Sequence, residues 1–145
     1  MTHYQHTQFA SAIVYTLIIA VLSACGMAFL SPILRLSLVV AIPLALTAWM
    51  FWKLTITVDD TKLRAAFGPG FVYKQVALAD VESCEPVRTK WWEGIGIHLS
   101  RFGWLYNVSG GDAVAIKLRS GKRFAIGTDQ PAELVDAIRR FASAR

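Results

Sequence analysis

Two long apolar runs, Phe9 to Leu30 and Ile33 to Trp52, constrain this chain more than any other feature. They are separated by a short break at Ser31 and Pro32, and across residues 9–52 the only charged side chain is Arg35. A helix of 22 residues rises about 33 Å, enough to cross a hydrocarbon core of about 30 Å. The second run is 20 residues long. Its Arg35 lies near one end, where a long side chain snorkels, and Pro43 in its middle predicts a kink. The expectation is a membrane α-helical hairpin of two transmembrane helices over residues 9–53, preceded by an N-terminal tail (1–8) and followed by a separate domain (54–145).

Small residues recur every four positions in the first run (Ala12, Thr16, Ala20, Ala24, Ala28) and similarly in the second (Ala41, Ala45, Ala48). Ala20, Ala24, Ala41 and Ala45 are therefore candidate helix-packing residues. The plainer reading, that alanine is simply common in apolar helices, stays beside it. Tyr4, Trp49 and Trp52 are candidate interface anchors. Lys53, Lys62, Arg64 and Lys74 follow the second run while Arg35 alone occupies the loop, which predicts cytoplasmic termini and an external loop. Leu22-Ser23-Ala24-Cys25-Gly26 has the form of a lipoprotein cleavage box, but residues 1–8 lack the basic n-region that such a signal needs. His3 and His6 are spaced as a ligand pair, with no third ligand in the adjacent sequence.

The charge is segregated as well. Residues 53–145 hold fourteen of the fifteen basic groups and all ten acidic ones, a net +4, with the two signs interleaved. This suits a neighbour of anionic lipid and not a nucleic-acid binder, which concentrates Lys and Arg on one element. Cys25 and Cys84 fall in different regions, so no disulfide framework is implied.

From residue 54 the pattern alternates. Leu54, Ile56 and Val58 predict a half-buried strand, Asp59-Asp60-Thr61 a turn, and Leu63, Ala65 and Phe67 a second strand closed by Gly68-Pro69-Gly70. Strands are expected at Val72–Leu78, Val81–Val87 and Ile95–Arg101. Val114, Ile116 and Leu118 pair through Ser120-Gly121 with Phe124 and Ile126. Thr128 or Asp129 offers an N-cap to a helix with Pro131 in its first turn and an apolar stripe of Leu134, Val135, Ile138 and Phe141. The count is seven short strands and one C-terminal helix.

That order, with Gly103-Trp104-Leu105-Tyr106-Asn107-Val108-Ser109-Gly110, Ala113-Val114, Gly121-Lys122-Arg123-Phe124-Ala125-Ile126-Gly127-Thr128-Asp129 and Pro131, resembles the bacterial pleckstrin-homology-like (PH-like) domains found behind one or two transmembrane helices. The likeness covers roughly residues 54–143. It implies a small α+β or all-β barrel plugged by its last helix, in a multi-pass protein of the bacterial inner membrane. The acidic pair Asp59-Asp60 ahead of Lys62 and Arg64 argues against a specific inositol-phosphate site of the eukaryotic kind.

No catalytic set converges in the sequence. His98 alternates with Ile97 and Leu99 and reads as a solvated or structurally bonded residue. Cys84 stands among Asp80, Glu82 and Glu85, the wrong surroundings for a thiolate nucleophile. Gly94, Gly96 and Gly121-Lys122 complete neither a dinucleotide fingerprint nor a P-loop. The Asn107-Val108-Ser109 sequon is idle on a cytoplasmic side. The loop from Arg88 to Glu93 is the strongest binding candidate, since Trp91 and Trp92 beside Arg88 and Lys90 suit a headgroup layer, against the alternative that the indoles fill a core. With Lys53, Lys62 and Arg64 these residues make up the candidate membrane-surface set. The expected function is a non-enzymatic, membrane-tethered binding or scaffolding module without cofactor or metal. Its expected partners are the lipid bilayer and either anionic headgroups or a membrane protein, not nucleic acid. The other reading is an accessory subunit assembled into a larger complex through its hairpin.

Overall fold

The computed structural model describes residues 2–30, 36–90 and 96–142. The described elements run β1 (Thr2–Phe9), α1 (Ser11–Leu30), α2 (Ser37–Phe51), β2 (Lys53–Asp59), β3 (Lys62–Phe67), β4 (Val72–Ala77), β5 (Val81–Arg88), β6 (Gly96–Ser100), β7 (Gly103–Asn107), β8 (Asp112–Leu118), β9 (Arg123–Gly127) and α3 (Pro131–Ala142). They build two sheets, ordered β1-β2-β3-β4 and β5-β8-β9-β7-β6. Neighbours are antiparallel except β7 and β9, which run parallel.

Alternation decides which face of each strand is buried. Leu54, Ile56 and Val58 of β2 are wholly buried while Thr55 and Thr57 look outward, and Leu63, Ala65 and Phe67 of β3 follow the same rule. Val114, Ile116, Phe124 and Ile126 supply the second sheet's inner face, and Leu134, Val135 and Ile138 of α3 complete one shared core. Each fully buried aliphatic side chain of this kind stabilises by about 1.5–3 kcal/mol. The start of α3 is organised by Thr128, whose hydroxyl accepts the Gln130 N–H at 3.1 Å, and the Leu134 N–H bonds the Gln130 carbonyl. Asn107 is buried, its side chain fills the space where a Cβ of Gly127 would stand, and its Oδ1 accepts the Ser109 N–H. The sequon asparagine is thus a structural residue.

The helix pair is an insertion between two paired strands. Phe9 stands opposite Lys53, the Ala10 N–H bonds the Trp52 carbonyl at 2.9 Å, and α1 and α2 pack side by side. Gly68, at φ +46°, lets the β3–β4 turn lie against the Trp49 and Met50 carbonyls at the end of α2, where a Cβ would collide.

Three expectations are corrected. First, residues 2–9, although polar in composition, form a strand along β2. Second, the seven-stranded barrel gives way to nine described strands in two sheets, because β1 joins from the N-terminal side and Gly103–Asn107 forms a strand of its own. Third, among the described residues no helix is long and apolar enough to cross a membrane. The 15 residues of α2 rise about 22 Å against a core of about 30 Å. The transmembrane hairpin, and with it the multi-pass inner-membrane topology with two cytoplasmic termini, is therefore not what the structure supports.

Candidate functional site

No charged side chain occurs in α1 or α2. Tyr15, Ile18, Ile19, Leu22, Met27, Phe29 and Leu30 of α1 are exposed, as are Val39, Val40, Ile42, Leu46 and Trp49 of α2. The hydroxyls of Thr16, Ser23 and Thr47 each donate back to the carbonyl four residues earlier, on Ala12, Ile19 and Pro43, at 2.8–2.9 Å. These polar groups are thus satisfied within their own helices. Ala41 is buried between the helices, Ala20 and Ala24 are half-buried, and Ala45 lines a shallow groove with Leu17, Ile18, Val21, Leu22 and Ala48.

Where the helices meet the first sheet, exposed aromatic rings collect. Phe9 and Trp52 pack at 5.6 Å between centroids, and Trp49 and Phe71 at 6.2 Å. The Lys53 ammonium sits 4.7 Å above the Trp52 ring, and the Arg64 guanidinium 4.6 Å above Tyr73. Trp49 is 54% exposed and Phe71 72%.

Strand register places these groups on one surface. Phe9 faces Lys53, Thr7 faces Thr55, Thr55 faces Ala66, Ala66 faces Tyr73, and Thr57 and Gln75 flank Arg64. Lys53, Lys62 and Arg64 therefore share the outer face of the first sheet, with Lys62 at the end away from the helices. The acidic residues of this sheet and its turns, Asp59 and Asp60, also lie at that far end, where Asp60 contacts His3.

The other candidates fall elsewhere. Tyr4 stands five residues along β1 from Phe9, roughly 17 Å from the aromatic collar. It is half-buried against α3, and its hydroxyl donates to Gln130 Oε1 at 3.4 Å. Burial first, then the nearby Glu133 carboxylate, push its pKa up to about 12. Arg88 is on β5, its Nε 3.3 Å from Asp112, and exposed Lys90 follows it in the second sheet's surroundings. Trp91 and Trp92 lie outside the described residues, as does Arg35. His6 contacts Asp129, and no three potential ligands gather for a metal among the described residues. Cys84 is buried beside the Val135 carbonyl, and that burial raises its thiol pKa. His98 is half-buried, with Nε2 unpartnered.

Phe9, Phe71 and Tyr73 also belong to the collar, beyond the anchors expected from the sequence. A signal was present, because Gly68-Pro69-Gly70 turns the chain back to the sheet end from which α2 departs, so aromatics just after that turn land beside Trp49 and Trp52.

The class that fold and surface define is a two-sheet α+β body carrying an apolar helix pair with an aromatic and basic collar at its root. No protein family, curated protein or solved structure matches the chain. The resemblance to PH-like membrane proteins is thereby withdrawn, since the strand count, the sheet order and the comparisons all fail to support it.

Proposed function

We propose that this chain is a non-enzymatic module that binds a lipid bilayer through the helix pair and holds its two-sheet body at the surface as a scaffold. The helices enter the apolar layer from one side, where both are rooted, and do not cross it, since no described helix is long and apolar enough to span a membrane. The observation that carries this reading is the all-round apolar surface of α1 and α2, with the Thr16, Ser23 and Thr47 hydroxyls turned back onto their own helices. A helix apolar on one face fits a protein groove, whereas one apolar on every side needs an apolar medium. The collar supports the same reading, because amphipathic rings and cations favour the headgroup layer.

Vesicle flotation tests it. The full chain should rise with uncharged phosphatidylcholine vesicles, and Leu22→Lys combined with Ile42→Lys should leave it at the bottom of the gradient. Both positions are exposed, so the body should keep its fold, and a wild-type chain that stays with the pellet fraction sinks the proposal.

A further inference from the structure

The helix pair sets how the chain meets lipid but makes no distinction among headgroups; the outer face of the first sheet does. Resting on the reading above, we infer that Arg64 seats the phosphate of an anionic phospholipid, with Lys53 adding positive potential from the same face. Arg64 is held in place by its surroundings, its guanidinium over the Tyr73 ring and its Nη2 next to Gly70. The direction is toward the helix root, along the face that also carries Lys53.

The group is held yet unfinished. Arg64 Nε is shielded from solvent and has no hydrogen-bond partner. A guanidinium offers five donors in a planar fork that matches two oxygens of a phosphate, and an ammonium cannot reproduce that match. Nor is the charge neutralised locally. Asp59 shares the outer face two residues along β2 from Thr57, yet no ion pair joins it to Arg64 among the described residues, and the residues directly across the strands, Thr57 and Gln75, are neutral. The shielded Nε lies out of a ligand's reach, so a phosphate that supplies two acceptor oxygens meets the terminal Nη groups of the fork and gains charge-assisted hydrogen bonds there. Lipid phosphate is the occupant the position favours, because the collar puts this face at headgroup depth and the helix pair delivers it there.

The test compares full-length protein on phosphatidylcholine vesicles with the same vesicles containing phosphatidylglycerol. Wild type should partition about tenfold better into the anionic vesicles, the effect of one or two charge-assisted hydrogen bonds. Arg64→Gln should lose that preference while keeping its binding to phosphatidylcholine, and Arg64→Lys should lose most of it despite retaining the charge. Gln75→Glu, which sets a carboxylate beside Arg64 from an exposed position, should do the same and serves if Arg64→Gln folds poorly. Lys62→Gln, at the far end of the face, should change little. Equal partition of wild type into both vesicles overturns the inference and leaves the bilayer reading standing, as does a Lys62→Gln loss matching that of Arg64→Gln, which would mean diffuse attraction. Absence of binding to either vesicle overturns both.

Discussion

Tyr4 shows how much a single residue reports about the joint between the N-terminal strand and the C-terminal helix. Its ring is partly covered by α3 and its hydroxyl points at Gln130, with Glu133 close enough to oppose a second negative charge. The neutral form is therefore favoured in the folded chain, where the pKa rises to about 12 from its ordinary 10. A raised folded-state pKa contributes stability that is fully present below the unfolded value and is lost as pH climbs through the folded one. Urea midpoints should fall as pH rises from about 10 to about 12, and Tyr4→Phe should flatten that fall. The flattening should be partial, because burial also raises Tyr106. An unchanged slope in Tyr4→Phe would mean that the ring is not held against α3.

At the scale of elements, α3 is the closure of the core, and Ile138 is its most enclosed contact together with Leu134. The stripe of Leu134, Val135 and Ile138 repeats at helical spacing and meets β5 and β8, the strands that carry Cys84 and Ile116. Ile138→Ala should cost about 2–5 kcal/mol in urea unfolding, as the deletion of a buried aliphatic group leaves a cavity under a packed helix. A cost near zero would place α3 outside the cooperative unit. This helix was legible beforehand because its stripe, its proline and its polar start all agree, and β2, β3, β8 and β9 were legible because alternation with turn residues leaves one reading. Two strands were not. Thr2–Phe9 contains His, Gln and Thr in place of an apolar face, and it becomes a strand only because β2 offers a free edge fifty residues later. Gly103–Asn107 shows no alternation of its own and is fixed by its pairing to β6 on one side and, in parallel, to β9 on the other. Long-range partners of this kind leave no local periodicity. For the same reason the candidate site was half visible: Lys53, Lys62 and Arg64 could be named, but the register that puts them on one face with Tyr73 could not.

For the molecule as a whole, the conflict between its two halves is what most determines behaviour. The body from β2 onward has a closed core and a mixed-charge surface, whereas the helix pair displays apolar side chains on all sides and no charge to keep copies apart. Contiguous exposed apolar surface of this extent drives association when no partner covers it. The net charge of +5 resides almost wholly outside the helices and is screened beyond about 8 Å at physiological salt, so it offers little protection to the pair. In buffer without detergent or vesicles, the full chain should therefore elute as a multimer by size exclusion with light scattering, and mild detergent should convert it to a single small species. Leu22→Lys combined with Ile42→Lys should shift the detergent-free chain toward the smaller form, because both side chains stand on the exposed surface and not in the sheet core. A wild-type chain that is already monodisperse and small in plain buffer would mean that the helices shield one another, and the case for a lipid partner would lose its main physical cause.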